Sequence, residues 1–142
     1  MRRSLLWVTG LMVMMLGMTS PATAGEGLRR LAVIDQKVGT GPVARPGMQV
    51  ELNYTGWLYD AASADHHGVE VDSSREHGQT ITFILGTGQV IAGWDKGIRG
   101  MHVGGRRTLL IPPHLGYGSR GAGRAIPPDA SLVFDIELVS AH

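Results

Sequence analysis

The 142-residue sequence contains no cysteine. That absence excludes disulfides, a thiolate nucleophile and a lipid-modified cysteine at a processing site. An excess of charge of one sign is missing as well, since 13 Lys and Arg stand against 12 Asp and Glu, a formal net charge of +1. Near-neutrality argues against a nucleic-acid or membrane-surface role. The pairs Arg29-Arg30 and Arg106-Arg107 are isolated and read as solvated strand ends rather than a binding stripe. After the first two dozen residues no apolar run approaches the roughly 20 residues that a membrane-spanning helix needs.

What the sequence does have begins with MRR, the apolar run Leu5 to Met18 and an Ala22-Thr23-Ala24 ending. This layout predicts a secretory signal peptide over residues 1–24, cleaved after Ala24. Residues 25–30 then form a flexible lead, and residues 31–140 the single domain expected at this length. Loss of Arg2 and Arg3 takes the formal charge from +1 to −1. With the leader removed, no membrane contact is expected.

Period-2 alternation marks the strands. Met48, Val50, Leu52 and Tyr54 alternate with Gln49, Glu51, Asn53 and Thr55. The same pattern recurs over Thr80 to Leu85, Arg106 to Ile111 and Leu132 to Leu138, and Leu31 to Val38 is a fifth candidate. Only Gln89 to Ile98 reads as helical. In it, Trp94 lies between Gly93 and Gly97, although interior glycines weaken a helix by roughly 0.5–1 kcal/mol each. Alternating strands with one helix imply an antiparallel sheet with one buried face, and the helix is its only available cover. Two loops stand out: the polar Asp60 to Gly68, and the glycine-rich Gly116 to Asp129, a length that in a compact domain is often functional.

Motifs for reactive chemistry fail one by one. Gly86-Thr87-Gly88 lacks the third glycine of a dinucleotide fingerprint, because position 91 is Ile. Tyr117-Gly118-Ser119-Arg120-Gly121 lacks the first glycine and the strand–helix setting of a nucleophile elbow. His66 and His67 lie near Asp60 and Asp65, but no spacing fits a metal-ligand motif. No metal and no cofactor are expected.

Six blocks in order, YTGWL (54–58), VDSSREHG (71–78), LGTGQVIAGWDKGI (85–98), MHVGGRRTLLIPP (101–113), LGYGSRGAG (115–123) and IPPDASLVFDIEL (126–138), resemble the FKBP family of peptidyl-prolyl cis/trans isomerases. The resemblance runs from about Leu31 to Ser140. It implies an α+β fold, a twisted antiparallel sheet wrapped around one short α-helix, with a pocket between helix and sheet. By position, Trp94 would be the pocket floor. Tyr54, Val71, Ile81, Gln89, Val90, Ile91, Ile126 and Phe134 would bind substrate, and Asp72 and Tyr117 would form the polar edge beside Trp94. The resemblance further implies ligand carbonyls bonded by the Ile91 N–H and the Tyr117 hydroxyl.

Three departures stand out: Val71 where the family usually has Phe, Ile81 at a commonly aromatic position, and His77 where an Arg often partners the Asp72 equivalent. The added Asp60 to Val69 loop resembles forms in bacterial members. The expected activity is rotation of Xaa-Pro bonds during folding of exported proteins. Proline-containing polypeptides would be the partners, and the macrolides tacrolimus and rapamycin the inhibitors. The alternatives are a binding module or holdase for prolyl and apolar segments, and a purely structural sheet domain. Without the helical dimerisation arm of some secreted relatives, a monomer is expected. The leader and the VSAH ending point to the periplasm or to secretion.

Overall fold

A computed structural model describes residues 27–142; the expected signal peptide lies outside the described residues. The strands are β1 (Ala32–Lys37), β2 (Gln49–Tyr59), β3 (His67–Ser73), β4 (Ile81–Ile84), β5 (Arg106–Ile111) and β6 (Leu132–Ala141). Among the described residues the one α-helix is α1 (Ala92–Gly97). The strands form a single antiparallel sheet in the order β1-β5-β6-β2-β3, with β4 also paired to β2. β2 is long enough to serve two partners on one edge: Gln49 to Leu52 pair with β4, and Thr55 to Tyr59 with β3. This is the antiparallel sheet covered by a helix that the alternation implied, and the α+β architecture that the resemblance implied.

Alternation decides which face is buried. Val50 and Leu52 of β2, Leu109 and Ile111 of β5, and Phe134, Ile136 and Leu138 of β6 are buried against Trp94 and Ile98. The glycines flanking Trp94 explain how so short a helix is held. A Cβ at Gly93 would lie 2.6 Å from Ile111 Cγ2, and one at Gly97 2.6 Å from Leu109 Cδ2. One turn apart on the same face, they let the helix backbone sit directly on β5. Packing of this kind replaces intrinsic helix propensity.

The helix is shorter than its sequence pattern, six residues rather than Gln89 to Ile98. Asp95 fastens it to the preceding turn by accepting the Gly86 and Gly88 N–H groups at 2.8 and 2.9 Å. Arg107 fastens its other end, donating from Nη1 to the carbonyls of Gly97 and Arg99 at 2.9 and 3.0 Å. Its Nε also donates to Asp35 Oδ1 at 2.7 Å. Arg107 is therefore no solvated strand end; it satisfies helix C-terminal carbonyls that would otherwise lack donors.

Strand β3 has no counterpart in the alternation. Its pairing with β2 shifts register twice, between Gly56 and Trp57 and between Trp57 and Tyr59. Val69 and Glu70 are consequently both exposed, and the period of two is lost. The Gly116 to Asp129 loop holds the 3-10 turn Gly118–Arg120, and Pro113–Leu115 forms another just before it. The lead is tethered within its described part, the Leu28 N–H donating to Ser131 Oγ at 2.8 Å. Among the described residues no helix is long and apolar enough to cross a membrane.

Candidate functional site

A cavity of about 640 Å³ opens between α1 and the buried face of the sheet. Each side of it comes from a different element. β2 contributes Tyr54, β3 Val71 and Asp72, β4 Ile81 and β6 Phe134. The turn entering α1 brings Gln89, Val90 and Ile91, and the helix brings Trp94. The glycine-rich loop closes one side with Tyr117 and Ile126. All eleven expected site residues thus line one cavity, from positions up to eighty residues apart in the chain.

Two further lining residues, Ala122 and Ala125, have no sequence signal. They are small residues in a loop, placed by the tight antiparallel bridge of Ala122 to Ile126. Its two backbone hydrogen bonds measure 2.8 and 3.1 Å.

The floor is an aromatic cluster. Trp94, only 5% exposed, meets the edge of Tyr54 at a centroid distance of 4.9 Å and that of Phe134 at 5.2 Å, with interplanar angles of 69° and 89°. Such edge-to-face pairs add roughly 0.5–1.5 kcal/mol beyond area burial. Gly56, directly across from Phe134, leaves space for its ring, because a Cβ there would lie 2.4 Å from Phe134 Cε1. The Trp94 indole N–H has no acceptor among the described residues. Gln89 is fixed by accepting the Ile84 N–H through Oε1 at 2.9 Å.

Polar groups gather at one rim. The Tyr54 hydroxyl donates to Asp72 Oδ2 at 2.5 Å, the Ser73 N–H donates to Asp72 Oδ1 at 2.9 Å, and His77 Nε2 lies 3.1 Å from that same Oδ1. His77 thus partners Asp72 at the position where sequence comparison with the family suggested an arginine. Burial pushes the Asp72 carboxyl upward, but the bonds from Tyr54, His77 and Ser73 outweigh it and hold its pKa below the usual value. Tyr54 shifts the opposite way, raised first by burial and then by its bond to the Asp72 anion. The two shifts agree on the proton's place: Tyr54 stays a phenol and Asp72 a carboxylate. Tyr117 is also raised, by burial and then by the Asp72 charge, and so stays a donor. Among the described residues the Ile91 N–H, at the helix entrance, makes no hydrogen bond.

A second cavity, of about 470 Å³, lies on the opposite face of the sheet. Arg75, Arg106, Asp135 and Glu137 are among its lining residues, Arg75 paired with Glu137 and Asp135 with Thr108, so charged and polar side chains line much of it. Among the described residues no three His, Asp or Glu side chains converge as metal ligands.

An apolar cavity with an aromatic floor and a few donors at its rim has the form of a small-molecule or peptide side-chain site. Comparison with known proteins agrees. The profile of the FKBP-type peptidyl-prolyl cis-trans isomerases matches residues 41–139. FK506-binding protein 2 of Yarrowia lipolytica is 58% identical over 97 residues, a match covering 68% of this chain and 62% of that protein. Peptidyl-prolyl cis-trans isomerase FKBP2 of Mus musculus is 42% identical over 135 residues, covering 94% of this chain and 91% of that protein. Among solved structures, AtFKBP13 superposes with a TM-score of 0.68 at 41% identity, covering 79% of this chain and 93% of that one. The chain belongs to the FKBP-type peptidyl-prolyl cis-trans isomerase family and is an isomerase of that type.

Proposed function

We propose that the cavity between α1 and the sheet is where this chain rotates Xaa-Pro bonds of exported polypeptides. The observation that carries the proposal is the convergence of the Trp94, Tyr54 and Phe134 rings on a cavity whose polar groups sit at its rim. The planar Xaa-Pro amide is upheld by resonance against a barrier of about 18–20 kcal/mol, and its uncatalysed exchange takes tens to hundreds of seconds. Twisting the bond ends the resonance, so the carbonyl loses dipole and the nitrogen turns pyramidal. Apolar walls disfavour the planar, more polar amide relative to the twisted one, which is differential transition-state binding.

In this reading the proline ring rests on Trp94 between Tyr54 and Phe134. The Ile91 N–H and the Tyr117 hydroxyl donate to backbone carbonyls of the bound peptide. Asp72 holds the Tyr54 hydroxyl away from the ring. No proton moves and no covalent intermediate forms. Tacrolimus and rapamycin are the expected competitive inhibitors, in keeping with relatives named FK506-binding proteins. The leader composition supports a periplasmic or secreted place of work.

Val71 lines the cavity with a small side chain, and its enlargement tests the assignment. A phenyl burying roughly 40 Å² more apolar surface contributes about 1 kcal/mol at about 25 cal/mol per Å². That corresponds to roughly a fivefold gain in kcat/KM. Val71→Phe is therefore expected to accelerate isomerisation of an Xaa-Pro peptide and to tighten tacrolimus binding. A lowered Tm with no kinetic gain places Val71 in the core and contradicts the reading; capture of peptide without turnover favours a holdase instead.

A further inference from the structure

Away from the cavity, the turn joining β2 to β3 folds back against the outer face of the sheet. His67 is at the centre of the contact. The His67 ring stacks on Trp57, centroids 3.6 Å apart and planes 6° from parallel. Its Nδ1 lies 3.1 Å from Asp65 Oδ2 and its Nε2 3.5 Å from Asp135 Oδ2. Both contacts are ion pairs, which exist only when the imidazole carries its proton. With 22% of its side chain exposed, the ring is held close enough for that difference to matter.

Both carboxylates are held in place by their neighbours. Asp65 is fixed by its own bonds: Oδ1 accepts the Ser63 hydroxyl at 2.7 Å and the His67 N–H at 3.0 Å. Those bonds, the Ser63 hydroxyl first, hold its carboxyl below the usual range. Asp135, on β6, is fixed by the Thr108 hydroxyl of β5 at 2.7 Å. The facing side chains of β1 and β5, Gln36 and Thr108, are neutral, and β2 offers Trp57. His66 and Asp60 are the other titratable groups of the turn. Arg106 and the Arg75–Glu137 pair line the adjoining groove.

We propose that His67 is a proton-operated latch for the β2–β3 hairpin. Protonated, it clamps the turn to β6 across Trp57; neutral, it loses both ion pairs and the clamp loosens. β3 starts at His67 and carries Val71 and Asp72 to the cavity wall. The state of the latch therefore sets how firmly that wall is held. This last link rests on the pocket reading given above, whereas the latch itself does not.

Amide hydrogen exchange across residues 58–72, corrected for its intrinsic pH dependence, tests the latch at about pH 5.5 and about pH 8, either side of the ordinary histidine range. Hairpin protection is expected to be roughly two- to fivefold higher at the acidic end, the size of a partly exposed ion pair. Nitrogen-detected NMR is expected to show both His67 ring nitrogens protonated there. His67→Phe keeps the stack without the charge, and Asp135→Asn keeps the ring without one partner; both are expected to flatten the difference. Protection independent of pH, or the same dependence in both variants, overturns the proposal. The pH profile of isomerase activity, measured in His77→Ala so that the rim histidine does not contribute, is expected to carry a matching step. A flat profile alongside pH-dependent exchange overturns only the link to the cavity.

Discussion

Asp72 gathers three donors, the Tyr54 hydroxyl, the Ser73 N–H and the His77 ring, and its pKa is lowered as a result. A carboxyl whose folded pKa lies below its unfolded value, about 3.9 for aspartate, contributes its stabilisation above that unfolded value. The contribution disappears as pH falls through the lower folded value. Activity that depends on Tyr54 being held by Asp72 is therefore expected to persist down to about pH 4 and to fall only below it. Profiles of kcat/KM check this: Asp72→Asn should lack the acid limb. Identical profiles in wild type and variant would detach the Asp72–Tyr54 bond from turnover.

Helix α1 sets two energies against each other at Gly93. Alanine is the better helix former by about 0.8–1.0 kcal/mol. Its methyl would, however, stand 2.6 Å from Ile111 Cγ2, and overpacking of a filled core typically costs 1–3 kcal/mol. Packing wins, so Gly93→Ala is expected to lower Tm and shift α1 away from β5; thermal unfolding with an unchanged or higher Tm would contradict the close approach. The same element shows how far a sequence can be read. Alternation exposed β2, β4, β5 and β6 because each buries one face of a regular strand. β3 stayed hidden because two register shifts break its period, and with it went the structural reason for Val71 and Asp72 to meet the cavity. The grouping of the cavity-lining residues was legible through block resemblance, since Trp94 or Phe134 alone reads as ordinary core. Ala122 and Ala125 were not, their role coming from a bridge that composition does not encode. Nor was Arg107, whose acceptors are backbone carbonyls of another element.

At the scale of the whole molecule, one sheet layer buries one face over α1 and has its other face covered in part by the β2–β3 turn, and each face has its own cavity. The apolar one holds the aromatic floor; the polar one lies behind it across β2 and β6. Which of them receives a prolyl peptide is the central question, and a single NMR experiment addresses it. An Xaa-Pro peptide is mixed with isotope-labelled protein comprising residues 25–142. Exchange cross-peaks between its cis and trans forms are recorded together with the protein's amide and indole shifts. The account predicts exchange on the subsecond scale, against tens to hundreds of seconds uncatalysed. It also predicts that the largest shifts fall on the Ile91 amide and the Trp94 indole N–H. Unaccelerated exchange, or shifts centred on Thr55, Thr108 and Asp135 of the opposite face, would contradict it.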